Sequence, residues 1–395
     1  MPLFNYPQKN KKIILALGPE SAGNFSVYFQ GKIFFSENFG DLLDEKKYKN
    51  FQKSVLNFLK NKIKPDIILT DLHPLYKTTL WGKELSQKFK TQHIQVQHHI
   101  AHIFSVIGDQ IIQNSKFQPD TDHPMGGKIQ NCIAVACDGT GYGLDGKIWG
   151  GEVFKFKVQS SKFKVIERVG HLENQILIGG DLAIEEPARM LIAILSKAKS
   201  YKLKAKSCIY RFVKKYYTRN QFELLYNQLQ QNFNCLETSS AGRVLDAVSL
   251  LLGFCQNKRN YKHEPIDLLE KNSTIPYKIK PKIIIYKLPT TNYQILTTSL
   301  FGYLIKNLYR DKKRLAATAQ LYIAQGLYQI VKNLQLTTCN KQPVFFAGGI
   351  ANNKIISAYL ESKDVYLNKK IPRGDAGLSF GQIIYFLLTD HVAEY

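Results

Sequence analysis

The chain has 395 residues, and 44% of them are hydrophobic, so it can bury a sizeable core in two or three domains or in one large bilobed unit. Its six cysteines form no C-x-x-C pair, which argues against a zinc ribbon. Scattered cysteines without a signal peptide indicate reduced thiols and a cytoplasmic location. No apolar run approaches the roughly 18 residues that a membrane span needs, so no membrane association is expected.

The net charge of +23 raises the question of an anionic partner, either a nucleic acid or an anionic membrane surface. The basic residues are mostly lysines spread from Lys9 to Lys370, and they form no compact arginine-rich arm. Because electrostatic footprints for nucleic acids usually cluster, this spread favours a general lysine enrichment over a dedicated nucleic-acid surface.

The first part of the chain predicts three short strands, followed by alternating helices and strands. Glycines separate the three strands, and the first helix has an amphipathic pattern of apolar residues. In chain order we expect strands at residues 13–17, 25–30 and 32–36, a helix at 45–62, a strand at 66–70, a helix at 78–89, a strand at 93–97 and a helix from His98 onwards.

The second part of the chain repeats this order around a long insertion. We expect strands at residues 132–137, 147–157 and 163–171, and then a mostly helical and irregular insertion at about 179–299. A helix at 315–334, a strand at 344–347, a helix at 353–361, a strand at 365–367 and a helix at 377–388 are expected to close the chain.

A β-β-β-α-β-α-β-α order that occurs twice predicts a two-lobed α/β fold, the plan of the actin, sugar-kinase and Hsp70 class (ASKHA). We expect residues 1–130 to form the first lobe and residues 131–395 to form the second lobe, which carries the insertion. Each lobe would contain a mixed sheet with helices on its faces, and ATP would bind in the cleft between the lobes.

Two histidines indicate a metal site. His98 and His102 stand four residues apart where a strand meets a helix, so both imidazoles would project from one helix face. A capping or core histidine is the alternative for each residue taken alone. Asp138 and Asp375, each in a glycine-flanked turn, are the candidate carboxylates, and imidazoles with carboxylates suit iron or zinc.

Glycine-rich turns follow two of the predicted strands of the second lobe. Such turns let backbone N–H groups face phosphate oxygens, although an ordinary hairpin turn or a helix cap explains them equally well. The candidate nucleotide-binding residues in these turns are Asp138, Gly139, Thr140, Gly141, Gly143, Gly348, Gly349 and Asn353. Glu152, on the strand after the first turn, is predicted to face either the cleft or solvent.

Two arginines are candidates for binding a phosphate or a carboxylate, because a guanidinium offers a planar fork of donors. Arg189 follows Glu186 in a polar cluster, and surface ion pairing is the alternative for it. Arg243 follows two serines that are predicted to cap a helix, and Asp246, one turn away, is an alternative partner for it.

Taken together, these strings resemble the C-terminal, Kae-like domain of the HypF carbamoyltransferases. The similar segments keep the order of that family between about residues 12 and 385. They lie at residues 14–18, 71–74, 97–102, 138–143, 149–152, 180–181, 186–189, 239–246, 348–349 and 375–382.

The resemblance implies a catalytic role and a set of partners. It implies iron or zinc held by His98, His102, Asp138 and Asp375, and an ATP-derived carbamoyl-adenylate as the donor, with Mg²⁺ as a further expected cation. The acceptor would be the C-terminal cysteine of a HypE-like protein in [NiFe]-hydrogenase maturation. Arg243 would stabilise the charge on the leaving AMP.

Two departures from the family pattern affect this interpretation. The domains that usually lie upstream, including a YrdC-like domain that forms the adenylate, are not found in this sequence. We therefore expect a separate YrdC-like protein to supply carbamoyl-adenylate. The family string Tyr-Glu-Gly-Gln-Ala-Ala is replaced by Tyr261-Lys262-His263-Glu264-Pro265-Ile266, which puts acceptor or substrate contacts there in doubt.

Three other functions stay open at this point. A transferase that threonylcarbamoylates tRNA uses a similar histidine pair and would fit the positive charge, but its turn differs from residues 138–143. Small-molecule O-carbamoyltransferases share the domain. A non-catalytic nucleotide-binding subunit is the fourth possibility.

Overall fold

A computed structural model describes residues 2–6, 10–60, 64–113, 130–160, 162–198, 205–287, 292–336 and 341–389. The strands are β1 Leu3–Asn5, β2 Ile14–Ala16, β3 Ser26–Phe29, β4 Lys32–Phe35, β5 Ile67–Asp71, β6 Gln92–Val96, β7 Cys132–Tyr142, β8 Ile148–Gln159, β9 Lys162–Leu172, β10 Gln175–Ile178, β11 Cys235–Thr238, β12 Ile283–Tyr286, β13 Asn292–Ile295, β14 Val344–Ala347 and β15 Val365–Tyr366. The helices are α1 Glu45–Lys60, α2 Lys77–Phe89, α3 His98–Gln113, α4 Leu182–Glu185, α5 Pro187–Lys197, α6 Lys206–Val213, α7 Arg219–Gln230, α8 Ala241–Leu252, α9 Glu264–Lys271, α10 Thr297–Lys306, α11 Lys312–Leu336, α12 Lys354–Glu361 and α13 Leu378–Leu388.

The strands form two mixed sheets. The first sheet has the order β1-β4-β3-β2-β5-β6, antiparallel as far as β2 and parallel from β2 to β6. The second has the order β12-β13-β9-β8-β7-β14-β15, and β11 joins it by pairing with β8. In each sheet an antiparallel triplet continues into parallel strands that are joined through helices. The predicted α/β class with two mixed sheets is confirmed.

Two helices connect the sheets, and both are apolar on nearly every face. α3 follows the last strand of the first sheet, and residues 98–111 of this helix are all buried. α13 ends the described chain, and it packs against α3 and against strands β2, β3 and β5 of the first sheet. The last helix therefore belongs to the core that both sheets share.

The contact between α3 and α13 depends on glycine. A Cβ atom added to Gly381 would overlap the carbonyl oxygen of Ala101, and one added to Gly108 would lie 2.5 Å from a side-chain carbon of Ile384. The two helix backbones therefore approach more closely than a side chain would permit. This close approach holds the first turn of α3, which carries His98 and His102, against the end of the chain.

Most predicted elements are confirmed, within one residue for the parallel strands and within three residues for the long helices, of which α11 begins three residues before its predicted start. The insertion at 179–299 is mostly helical, as predicted, but it also contributes β11, β12 and β13. These strands were missed because each is only four residues long: β11 and β12 do not alternate between polar and apolar residues, and the alternation of β13 spans only its four residues. Residues 61–62, 199–204 and 288–291, to which the predictions also extended, lie outside the described residues.

The described cysteines are free, in agreement with the prediction of reduced thiols. Cys132 and Cys137 are fully buried in β7, and burial raises the pKa of both thiols, with nearby carboxylates adding to the effect at Cys137. Cys339 lies outside the described residues. Among the helices that the structure describes, none is long and apolar enough to cross a bilayer.

Gly381→Ala is expected to destabilise the protein by at least about 2 kcal/mol, because the new methyl group would force the α3 and α13 backbones apart. Urea unfolding followed by circular dichroism would measure the change. Gly302→Ala is the matched control, since Gly302 lies in α10 with no atom near its added Cβ, and this substitution should stabilise by about 0.5–1 kcal/mol. Equal effects of the two substitutions would contradict this account of the helix contact.

Candidate metal centre

The first part of the site is built where the first sheet meets α3. β5 ends at Asp71. The neighbouring strand β6 ends at Val96, and α3 begins at His98, with only Gln97 between them. Nδ1 of His98 lies 2.7 Å from Oδ2 of Asp71, and both side chains are almost fully buried. His102, one helical turn further on, places its Nε2 atom 3.1 Å from Nε2 of His98.

The two carboxylates come from elements that follow α3 in the chain. Asp138 lies in β7 where the register with β8 shifts between Cys137 and Gly141, so an irregularity in the ladder displaces its side chain from regular pairing. Asp375 lies in a 3-10 turn, Gly374–Gly377, directly before α13. Oδ2 of Asp138 lies 2.9 Å from Nε2 of His102, and Oδ1 of Asp375 lies 3.3 Å from the same nitrogen.

The four predicted metal residues therefore converge. His98, His102, Asp138 and Asp375 each offer one donor atom, and these atoms all lie within 4.8 Å of one another. The alternative role of Asp375 as the cap of the last helix is not adopted, because α13 begins after Gly377. Three elements meet at this point: α3 supplies both histidines, β7 supplies Asp138, and the turn before α13 supplies Asp375.

The electrostatics of the cluster follow from burial and from the density of carboxylates. Burial disfavours protonation of His98, but Asp71, Asp138 and Asp375 outweigh it and raise its pKa well above the usual value. Burial also disfavours ionised carboxylates, yet the hydrogen bonds from the two imidazoles hold the pKa of Asp138 and that of Asp375 far below normal. The cluster therefore favours a positive charge between the imidazoles and the ionised carboxylates. That charge can be a proton on an imidazole or a bound cation.

The donor set fits a divalent transition metal. Two imidazole nitrogens that point to one place, with two carboxylate oxygens, form a ligand set of the kind that iron and zinc accept. Asp71 supports this arrangement, because a metal-binding histidine typically donates its second ring N–H to a carboxylate that fixes its tautomer and orientation. The residues present thus match the predicted iron or zinc, and the structure does not distinguish between the two.

A cavity of about 320 Å³ opens beside the two carboxylates. Of the predicted nucleotide-binding and catalytic residues, the structure brings the following to its wall: Asp138, Gly139, Thr140, Gly349, Asn353 and Arg243. Asn353 also caps α12 by accepting a hydrogen bond from the N–H of Ile356 at 3.0 Å, so it fulfils the predicted helix-cap role and faces the cavity. Arg243 forms an ion pair with Asp246 at 2.9 Å, the alternative that the sequence offered.

Other predicted residues do not reach the cavity wall. Gly141 packs on the ring of His99, and Gly143 packs on Trp149, so both support the β7–β8 hairpin. Gly348, at φ +96°, makes a close approach to the backbone of Cys137. In contrast to the prediction, Arg189 is not brought to the site, because its Nε atom donates to Glu186 at 2.8 Å.

Glu152 corrects a further prediction, since it faces neither the cleft nor solvent. Its side chain is fully buried and accepts hydrogen bonds from Arg168 and Ser239. Burial alone would raise the pKa of Glu152, but the charges of Arg168 and His171 and the hydrogen bonds from Arg168 and Ser239 together outweigh burial and lower it to about 2. The guanidinium of Arg168 also lies over the ring of Trp149, 4.4 Å from its centroid, so this pair braces β8 behind the site.

Comparison with known proteins places this site in a family. A model described as the HypF Kae1-like domain matches residues 9–109, and one described as the carbamoyltransferase Kae1-like domain, second subdomain, matches residues 134–382. The chain is also 36% identical over 397 residues to a probable carbamoyltransferase HypF of Methanocaldococcus jannaschii, with 96% of this chain and 47% of that protein covered. The chain belongs to the HypF carbamoyltransferase family.

Solved HypF structures support the same fold. Thermococcus-type HypF from T. kodakarensis superposes with a TM-score of 0.81 at 28% identity and covers 98% of this chain and 48% of that one. A full-length HypF in a phosphate- and nucleotide-bound form gives a TM-score of 0.82 at 24% identity over 97% of this chain and 47% of that one. The chain therefore spans about half the length of the HypF relatives that it matches.

The string that departs from the family pattern lies at the site. Lys262 and His263 line the cavity, and Nζ of Lys262 lies 3.4 Å from Oδ2 of Asp375. Glu264 instead accepts hydrogen bonds from Asn260, at the start of α9. A lysine thus contacts a candidate metal ligand where the family pattern has a glutamate.

Sequence reasoning missed the role of Asp71. It noted residues 71–74 only as one of the segments that resemble the family. In the structure they form a turn, since the N–H of His73 donates to Oδ1 of Asp71 at 2.9 Å. The available signal was a carboxylate at the end of a buried strand that neighbours the strand before the histidines. Ser21, whose hydroxyl donates to Asp375, gave no sequence signal of this kind.

His98→Ala is expected to abolish stoichiometric iron or zinc binding, and Asp71→Asn should weaken metal affinity by roughly 10- to 100-fold because the imidazole loses its charged partner. Metal content by mass spectrometry and competition with a chelator would measure both effects. His93→Ala, which removes a histidine bonded to Thr70 on β5, serves as the control and should retain the metal. Normal metal content in His98→Ala would refute the ligand assignment.

Glu152→Gln should flatten the acid limb of the stability profile. The folded-state pKa of Glu152 is depressed to about 2, so its contribution is fully present above pH ~4.5 and is lost as the pH falls toward 2. On the order of 3 kcal/mol is expected to disappear over that window. Unfolding free energies of the two proteins between pH 2 and 7 would measure it, and parallel profiles would contradict the assignment.

Proposed function

We propose that this chain is a metal-dependent carbamoyltransferase that moves a carbamoyl group from carbamoyl-adenylate to an acceptor. The observation that carries the proposal is the convergence of His98, His102, Asp138 and Asp375 at the wall of a cavity that glycine turns also line. Membership of the HypF family supports carbamoyl transfer as the reaction class.

The chemistry proposed for the cavity is a simple acyl transfer. The acceptor attacks the carbamoyl carbon, the bond from that carbon to the phosphate oxygen breaks, and AMP leaves with the electron pair. When bound by the four ligands, iron or zinc supplies a Lewis acid for the carbamoyl carbonyl. Arg243, whose guanidinium lies next to Gly139, is proposed to stabilise the negative charge on the leaving AMP.

The nucleotide is proposed to lie along the two glycine turns. Gly139, Thr140 and Gly349 line the cavity near Asp138, and a Cβ added to Gly349 would lie 2.9 Å from Oδ1 of Asp138. Only residues without side chains leave room there for phosphate oxygens. A full-length HypF structure that shares the fold is in a phosphate- and nucleotide-bound form, which supports nucleotide binding in general.

The proposed partners follow from the family resemblance. The acceptor would be the C-terminal cysteine thiol of a HypE-like protein, and a YrdC-like protein would form the carbamoyl-adenylate from ATP and carbamoyl phosphate. A tRNA acceptor is the disfavoured second candidate: the net charge of +23 would suit a polyanion, but the lysines are spread along the chain and form no compact basic surface.

A reconstituted reaction tests the proposal. Purified chain, iron or zinc, ATP, carbamoyl phosphate, a YrdC-like protein and a HypE-like protein should give a carbamoyl adduct on the terminal cysteine, measured by intact-mass spectrometry. We expect the rate to fall by roughly 100-fold or more in His98→Ala, because the carbonyl loses its Lewis acid. The adduct should also be absent when the acceptor lacks its terminal cysteine.

Control reactions, in which one component is left out or tRNA binding is measured, distinguish the proposed function from its alternatives. Adduct formation without the YrdC-like protein would contradict the proposed source of the adenylate. Failure with every component present, together with tight binding of tRNA in a filter assay at physiological salt, would favour the tRNA acceptor instead.

A further inference from the structure

The cavity wall contains a charged cluster that sequence analysis identified only in part. Nη1 of Arg243 lies 2.9 Å from Oδ2 of Asp246, and Nη2 of Arg259 donates to the same oxygen at 2.8 Å. The side chains of all three residues are at most 5% exposed. Both arginines line the cavity.

The formal charge of this cluster does not balance. Two guanidiniums and one carboxylate, two positive charges and one negative, leave a surplus of one positive charge. Buried charges in proteins are normally paired, because an uncompensated charge away from water costs several kcal/mol. Within the described residues, the Nε atoms of both arginines also lack a hydrogen-bond partner. A surplus cation at a cavity wall therefore favours an anionic ligand.

Asp138 and Asp375 also line the cavity, but their ion-pair partners are the imidazoles of the candidate metal site and Lys262. The other charged groups of the cavity leave the surplus in place. Arg373 is already committed, since it donates to the carbonyl of Ala351 at 2.8 Å and to Glu361 at 3.1 Å. Glu270 accepts a hydrogen bond from the N–H of Lys354 at 3.0 Å, and Asp267 is exposed. No ion pair in the described part of the chain joins either carboxylate to the two arginines.

Arg259 is held in a fixed position. Its Nη1 atom donates to the carbonyl of Lys262 at 2.6 Å, while Nη2 binds Asp246 on α8. Because Arg259 competes with Arg243 for the same carboxylate oxygen, Asp246 neutralises neither arginine completely. Arg243 is left with its Nη2 atom directed at Gly139, 3.2 Å from the position of an added Cβ.

We propose that Arg243, Asp246 and Arg259 form an oxyanion subsite for the phosphate of the adenine nucleotide. Arg259 supplies the surplus charge, and Asp246 positions both guanidiniums and limits that charge. The assignment rests on the proposed function, which places a nucleotide phosphate in this cavity. Arg259 acts partly through Asp246, so it is a positioning residue as well as a source of charge.

The charge balance makes an unusual set of predictions for AMP binding. Arg259→Gln lowers the cluster charge to zero and should weaken AMP binding roughly tenfold. Asp246→Asn raises the charge to two and should tighten AMP binding by a similar factor. The double variant restores a charge of one, carried by Arg243 alone, and its affinity should return to within about threefold of the unmodified protein.

Isothermal titration of zinc-supplemented protein with AMP measures these affinities, and inorganic phosphate serves as a competitor. Arg219→Gln and Glu223→Gln are matched controls, because they change the net charge by the same amounts in a partly exposed ion pair of α7. Neither control should change AMP affinity. Thermal melts would identify a variant that fails to fold, and Arg259→Lys, which keeps the charge, should then bind AMP nearly as well as the unmodified protein.

A purely structural role predicts a different pattern. If the cluster only braces α8, then Asp246→Asn should weaken AMP binding as Arg259→Gln does, and the double variant should be at least as poor; that pattern would overturn the subsite. Affinity that is unchanged in all three variants, or no AMP binding by the unmodified protein, would overturn it as well. AMP affinities that follow the charge, without carbamoyl transfer in the reconstituted reaction, would retain the subsite and reject the transferase function.

Discussion

The 2.7 Å contact between Asp71 and His98 determines how the rest of the site is organised. It joins the carboxyl end of β5 to the first residue of α3, so the imidazole is held from behind before any ligand is present. With Nδ1 occupied by this hydrogen bond, Nε2 is the nitrogen that faces Asp138 and Asp375. A different orientation of this one ring would leave His102 as the only one of the two imidazoles between the carboxylates of Asp138 and Asp375.

The same point explains why the two halves of the chain must stay together. The histidines belong to the helix that leaves the first sheet, whereas Asp138 and Asp375 belong to β7 and to the turn before α13. The glycine contact between α3 and α13 sets their separation, because Gly381 lets the backbone of one helix touch the other. The backbone contact at Gly381 therefore helps to set the distance between the histidines on α3 and Asp375 before α13.

Much of this architecture could be predicted from the sequence. The order of strands and helices was readable because the long helices are strongly periodic and the parallel strands are short apolar runs. The histidine pair was readable because a spacing of four residues implies one helix face. Its two aspartates were readable because each stands in a glycine turn, and all four residues converge in the structure.

What the sequence did not reveal depends on contacts between distant segments. The role of Asp71 requires that β5 lie beside β6, and the sharing of Asp246 by Arg243 and Arg259 requires the fold of the insertion. The burial of Glu152 depends on its ion pair with Arg168 in the next strand. From the sequence alone, a charged residue on a strand was expected to face the cleft or solvent. Arg189 differs from these cases, because its partner is local. Glu186, three residues before it, forms the ion pair that the sequence offered as the alternative to ligand binding.

The buried thiol of Cys137 has a further consequence for the proposed reaction, in which an electrophilic acyl group would lie in the neighbouring cavity. Thiolates, not thiols, attack such groups, and the acceptor proposed for this protein is itself a cysteine. Cys137 directly precedes Asp138, but its pKa is raised well above normal by burial and by the carboxylates of Glu152 and Asp138. A thiol that stays protonated and buried next to Asp138 is a poor nucleophile, so in the proposed reaction the acyl group would not be transferred to the protein at this position.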